Sequence, residues 1–187
     1  MNDERYTPSW IIDGARATMG AIDLDPASCA AANERVGATR YYDTDMDGLA
    51  QPWAGRVFTN PPYSNCSRWI ERLAAEVQNG RVTQVVLLCS IRCLSQIVSR
   101  CHFLLRGSLL LPTKPIAYLD PGTGRMLSPP FGSLMLYVGP YQLRFNQLFQ
   151  QHGTVLRPAY RFCLRPASGG YSLLRRSPSK QKTGDST

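Results

Sequence analysis

Residues 60–63 read Asn-Pro-Pro-Tyr and follow directly on the β-branched and aromatic stretch GRVFT. Each proline fixes φ and removes a backbone donor, so Asn60, Pro61, Pro62 and Tyr63 form a stiff, extended turn that continues neither a helix nor an interior strand. The side-chain oxygen of Asn60 and the backbone carbonyl of Pro61 are two acceptors, each able to take one hydrogen of a planar amino group. Tyr63 adds a flat face for stacking, worth about 1–3 kcal/mol when the stacked ring is a nucleobase. The plainer reading is a rigid connector with an exposed aromatic. A proline-rich ligand of the usual proline–tyrosine kind needs one more residue between Pro62 and Tyr63, which this chain lacks.

The flanking sequence supplies elements that can hold such a turn. Ser9 is placed to cap a helix running through Trp10, Ile11, Ala15 and Met19 and stopped by Gly20, after which AIDLD reads as a buried strand ended by Pro26. The segment ASCAAANERV predicts an alanine-rich helix, ATRYY a short strand, DTDMDGLAQPW an acidic loop and GRVFTN a strand that delivers the turn. Ser64 or Ser67 then caps a helix with apolar positions at Trp69, Ile70, Leu73, Ala74 and Val77, closed by Asn79-Gly80. VTQVVLLCS is an apolar strand of the doubly buried kind, and Leu94, Ile97, Val98 and Cys101 lie on one face of a following helix. Strand and helix alternate, which predicts an α/β fold with a mostly parallel sheet flanked by helices. Beyond residue 107 the pattern turns to short β segments, SLLLP, IAYLD and SLMLYVG, followed by a weaker helix QLRFNQLFQQHG and a last strand TVLR. Asp25-Pro26 and Asn60-Pro61 both fall at carboxyl ends of strands, where open α/β sheets bind ligands.

Bulk properties narrow the classes. The chain has 187 residues, 43% hydrophobic and 18% charged, enough for one domain with a real core. No stretch has the length of a membrane-spanning helix, and the N-terminus MNDERYTPSW is acidic and polar rather than basic and then apolar, so a cytoplasmic protein with no membrane partner is expected. The net charge of +8 is unevenly placed: seven of the 21 Lys/Arg but one of the 13 acids lie from Arg157 onward. One domain over residues 1–156 and a flexible basic tail over 157–187 are expected, the tail suited to phosphate contacts that carry no sequence information. The six cysteines, at 29, 66, 89, 93, 101 and 163, form no CxxC pair and no Cys/His zinc spacing, so buried free thiols and no metal are expected. His102 and His152 have no partner at catalytic spacing and read as capping or surface residues.

Asn-Pro-Pro-Tyr matches the signature of methyltransferases that alkylate a conjugated amino nitrogen. Several further segments resemble, in order, the short phage-type DNA N6-adenine methyltransferases, the Dam-like family. They are Tyr6-Thr7-Pro8 with Trp10-Ile11, Ile22-Asp23-Leu24-Asp25-Pro26-Ala27-Ser28 with Asn33, Asp47-Gly48-Leu49 with Trp53, Asn60-Pro61-Pro62-Tyr63-Ser64, and Ser128-Pro129-Pro130-Phe131-Gly132-Ser133. The resemblance covers about residues 5 to 140. It implies an S-adenosylmethionine-dependent methyltransferase of Rossmann-like fold with a seven-stranded sheet, acting on DNA in a bacterium or phage-infected cell. The catalytic residues it implies are Asn60, Pro61, Pro62 and Tyr63, with Tyr63 and Ser64 against the substrate. It places Tyr6, Thr7 and Pro8 in a segment covering the cofactor, Asp25, Pro26 and Ala27 near its amino acid part, and Asp47 near its adenine end.

In that chemistry Asn60 and Pro61 fix the N6 amino group of an adenine flipped from the duplex and stabilise the positive charge that develops on nitrogen, while Tyr63 stacks on the base. No base is needed beforehand, because a methylated aminium sheds its proton readily. Two points stay open in the sequence. The loop DPASCAAAN has no glycine where methyltransferases generally place several, and the acid for the cofactor ribose is one of Asp43, Asp45 and Asp47. The tetrapeptide also serves methyl transfer to an RNA base or a protein glutamine, and a relative that binds DNA without catalysis is the remaining alternative. Oligomeric state and recognition sequence leave no trace in the sequence.

Overall fold

The computed structural model describes residues 5–129 and 131–157; the expected tail from residue 158 onward lies outside them. Along the chain run α1 (Ser9–Met19), β1 (Leu24–Asp25), α2 (Ala30–Val36), β2 (Arg40–Tyr41), β3 (Gly55–Thr59), α3 (Cys66–Gln78) and β4 (Val82–Ser90). They are followed by α4 (Leu94–Arg100), β5 (Ser108–Pro112), β6 (Tyr118–Leu119), β7 (Met126–Leu127), β8 (Ser133–Val138), α5 (Gln142–Phe149) and β9 (Gly153–Leu156). Short 3-10 turns occupy Tyr63–Asn65, Ile91–Cys93, His102–Arg106 and Gln150–His152.

Seven strands form one sheet in the order β2-β1-β3-β4-β8-β5-β9, and β6 and β7 form a separate hairpin. The first four neighbours are parallel, Leu24 pairing with Val57 and Thr59 with Leu87. β8 then runs antiparallel between β4 and β5, and β9 antiparallel along β5. The parallel expectation thus holds for the half built from strand–helix–strand units. The other half departs from it because the chain returns from β5 to β8 through a hairpin rather than a helical crossover, and such a return enters its neighbour antiparallel. β9 is reached through α5 and so shares the direction of β8, with β5 between them.

Helices cover both faces of the sheet. In β4, Val85, Leu87 and Cys89 enter a core with Ile70 and Leu73 of α3 and Ile97 of α4, while Val86 and Leu88 enter a second core with Ile11 and Ile12 of α1 and Phe145 and Phe149 of α5. Two buried faces explain why this strand is apolar throughout rather than alternating. Truncating Leu87 or Leu88 to Ala is expected to cost about 2–5 kcal/mol, since neither is exposed.

Three helix starts differ from expectation. Ser9 is the first residue of α1 rather than its cap, because the extended Pro8 already offers its carbonyl to the N–H groups of Ile11 and Ile12 at 3.1 and 3.4 Å. Neither Ser64 nor Ser67 caps α3: Asn65 holds the cap position without a side-chain bond, the 3-10 turn after Pro62 having begun the winding. α2 starts at Ala30 and is capped by the Cys29 sulfur, which accepts from Ala32 N–H at 3.4 Å. Residues 26–28 are drawn into a turn instead, Ala27 N–H donating to Asp25 Oδ1 at 3.2 Å and Ser28 N–H to Tyr42 O at 3.0 Å.

Candidate active site

From β1 the chain passes through α2 to β2 on one side and then crosses to β3 on the other. The carboxyl ends of β1 and β3 therefore flank a crevice at a topological switch point. A cleft partly open to solvent lies there. Its walls include Arg5, Tyr6 and Thr7 from the N-terminal segment, Asp25, Ala27 and Ser28 after β1, Ala32 and Arg35 of α2, and Phe58 and Asn60 at the end of β3. Residues 53 positions apart in sequence meet here, for Asn60 Nδ2 donates to Thr7 Oγ1 at 3.1 Å. That bond orients the amide, and its other end, Oδ1, is shielded from solvent with no hydrogen-bond partner. An unpaired buried acceptor costs about 1–3 kcal/mol, a cost that a donor arriving in the cleft would remove.

Asp25 is the second unsettled group. It is buried, no cation pairs with it among the described residues, and burial pushes its carboxyl up from 3.8 to about 7 against the opposing hydrogen bond from Ala27 N–H. Such a carboxyl is poised to take up a cationic group, or to surrender its proton when one approaches.

Tyr63 stands one turn further along. Its hydroxyl lies 2.8 Å from that of Tyr118 and 2.9 Å from that of Ser133, and these two are 3.0 Å apart, closing a triangle of three hydroxyls. Burial, the largest cause in each case, pushes both phenols up, so the triangle is neutral at ordinary pH. The rings of Tyr63 and Tyr118 meet edge to face at 6.3 Å. Tyr63 is thus fixed by its polar end, with its half-buried ring carried at the carboxyl edge of the sheet. The turn's own bond runs from Asn65 N–H to Pro62 O at 3.3 Å and leaves the Pro61 carbonyl outside it.

Of the residues singled out in the sequence, Tyr6, Thr7, Asp25, Ala27 and Asn60 border the cleft. Pro8, Pro26, Pro61, Pro62, Tyr63, Ser64 and Asp47 do not line it. Asp47 is exposed in a left-handed turn (φ 50°), with Oδ1 accepting from Leu49 N–H at 3.2 Å. Gly48 nevertheless brings that loop hard against the turn after β1, since a Cβ there would sit 1.9 Å from Pro26 O. The N-terminal segment is stapled over the carboxyl edge by the pairing of Tyr6 with Leu119, with N–H to O distances of 2.8 and 3.0 Å.

The chain matches the family model described as DNA N-6-adenine-methyltransferase (Dam) over residues 1–96, about half its length. The chain belongs to the Dam family. Membership carries, at the level of the family, methylation of adenine N6 in DNA. The matched span takes in the cleft, Asp47 and Asn60–Ser64, and stops short of Ser128–Ser133. No curated protein matches the chain. No helix of the described residues is long and apolar enough to cross a membrane.

Two groups of site residues escape sequence reasoning. Tyr118 gave no signal, because its partnership with Tyr63 exists only once β6 folds over the edge of the sheet; Ser133 stood in the resembling segments without a role. Cys66, Cys89, Cys93 and Cys101 are buried and free as expected, Cys29 is free but only partly buried, and Cys163 lies outside the described residues; the sulfurs of Cys66, Cys89 and Cys93 lie within 4.8 Å of one another. No spacing rule covers that trio, whose members come from a helix start, a strand end and a turn.

Proposed function

We propose that this protein is an S-adenosylmethionine-dependent methyltransferase of Rossmann-like fold that methylates the N6 amino group of an adenine flipped out of duplex DNA. The observation that carries the reading is the buried, partnerless Oδ1 of Asn60, aimed by its bond to Thr7 and sharing one cleft with Asp25.

The residues fit the cofactor's chemistry. A buried carboxyl without a cationic partner, Asp25, suits the ammonium of an amino acid moiety, and the small Ala27 and Ser28 leave the backbone of the glycine-free loop approachable. Tyr6, Thr7 and Pro8 form the covering segment, and Pro26 and Asp47 stand at the two sides of the Gly48 contact. When bound, the cofactor supplies a sulfonium-activated methyl group. Asn60 Oδ1 and the Pro61 carbonyl each accept one hydrogen of the adenine amino group, which fixes the nitrogen and stabilises the charge it gains on alkylation. Pro62 keeps the turn from collapsing. Tyr63, held by the hydroxyl triangle, presents its ring to the extruded base, and Ser64 lies beside it in the exposed 3-10 turn.

The test is transfer of labelled methyl from S-adenosylmethionine to unmethylated duplex DNA, read by nucleoside analysis, with RNA and a protein lysate as parallel acceptors. Label in N6-methyladenine is expected. Label confined to RNA or protein would overturn the DNA substrate, and no label from folded protein would overturn the activity.

A further inference from the structure

Cys66 opens α3 three residues after Tyr63, Cys89 is the penultimate residue of β4, and Cys93 closes the 3-10 turn that follows. All three are buried, at 3%, 0% and 8% exposure, and none is in a disulfide. Their sulfurs lie within 4.8 Å of one another, and among the described residues no histidine or carboxylate joins them. Buried cysteines usually act as small apolar side chains, and Cys101 is one, buried without belonging to the trio. Three sulfurs brought within 4.8 Å of one another from three separate elements are different. A metal–sulfur bond of about 2.3 Å sets ligand sulfurs about 3.8–4.0 Å apart, so closing the trio on an ion asks for a contraction of less than about 1 Å.

We propose that Cys66, Cys89 and Cys93 form a binding site for one soft, thiophilic d10 cation, Zn(II) or Cu(I). Thiolate donors select such ions over Mg(II) and Ca(II), which require oxygen. Three sulfur–metal bonds form, and the thiol protons they displace go to the buffer. The place gives the site a consequence. Thr59 pairs with Leu87, so Cys89 lies just beyond the level of Asn60, and across the antiparallel ladder Cys89 pairs with Leu134, next to Ser133 of the hydroxyl triangle. An ion there ties the start of α3 to the end of β4 directly behind the turn that carries Asn60–Tyr63, and stiffens its support.

The test uses the full, untagged chain, purified reduced and metal-free, titrated with Zn(II) and Cu(I) against chromophoric competitors and with Co(II) as a spectroscopic stand-in. Expected are one ion per chain, a thiolate-to-cobalt charge-transfer band, a rise in Tm with Zn(II) or Cu(I) but not Mg(II), and, at a denaturant concentration that opens the metal-free protein, slower alkylation of Cys66, Cys89 and Cys93 in the metal-loaded than in the metal-free chain, read by mass spectrometry. Cys93→Ala should lose binding at least about tenfold while Cys101→Ala keeps it. Saturation by only one of the two metals identifies the ion and supports the site. Folded wild-type protein that takes up neither ion, or wild-type affinity retained in Cys93→Ala, overturns the proposal. The alkylation measurement on wild type decides the matter even where a variant fails to fold.

Discussion

The two edges of the parallel half-sheet differ in how completely their polar groups are paired. At the amino edge, Asp23 accepts from Arg56 N–H and Nε at 2.8 Å each, and the Arg56 guanidinium holds its carboxyl below the ordinary range. Gly55 permits this contact, with φ +77° and a missing Cβ that would lie 2.6 Å from Asp23 Oδ2. Nearby, the buried Glu76 carboxylate pairs with Arg72 at 3.0 Å and with Arg81, at the junction of α3 and β4. At the carboxyl edge, two residues on from Asp23, Asp25 is buried without a cation among the described residues, Asn60 Oδ1 has no partner, and three thiols lie within 4.8 Å of one another. At one edge the carboxylates are paired with arginines and fasten the sheet, although Arg72 Nε stays unpaired. At the other, Asp25 and Asn60 Oδ1 have no such partner among the described residues, which is where binding chemistry belongs.

The sharpest way to break the contrast is Asn60→Ala. Labelled methyl transfer should fall about a thousandfold or more, with cofactor affinity by calorimetry nearly unchanged and the variant still folded. A variant that keeps most of its rate would remove Asn60 from the chemistry. Asp25→Asn should weaken cofactor binding by about tenfold or more and remove a pH dependence of stability. The folded carboxyl titrates near 7 and the unfolded one near 3.8, so between these values the native state keeps a proton the unfolded chain has released. Wild-type Tm should therefore fall as pH rises from about 4 to about 7 and level off above, and the variant should lack that slope. At the opposite edge the effect falls on stability rather than on turnover. Glu76→Gln should cost about 1–2 kcal/mol in denaturant unfolding, moderated because Arg72 and Arg81 stay partly solvated, while the folded variant keeps its turnover. The smallest effect falls outside both edges: removing residues 168–187 should weaken DNA binding modestly and flatten its dependence on salt, and an unchanged salt slope would leave the tail without a binding role.

Much of the cleft was legible in the chain. Pro61 and Pro62 announce a rigid turn because proline restricts φ regardless of context, and the apolar run of β4 announces a doubly covered strand. Asp25 and Asn60 were recognisable as strand-end residues from local pattern alone. Helix starts were less legible, since Pro8 and the 3-10 turn at Tyr63–Asn65 satisfied N–H groups that Ser9, Ser64 and Ser67 were expected to serve. The antiparallel half went unread because a strand's pattern reports its burial and not its direction; SLMLYV is apolar whichever way β8 runs.

Sequence by itself determined the stiffness of the Asn60–Tyr63 turn, the alternation that builds the parallel half, and the family, all of which rest on local backbone restriction and on ordered residue types. Tertiary structure alone decided which atoms meet: Thr7 with Asn60, Tyr63 with Tyr118 and Ser133, and Cys66 with Cys89 and Cys93. These contacts join residues from separate elements, and their geometry comes from sheet register and chain crossover, which no local pattern encodes.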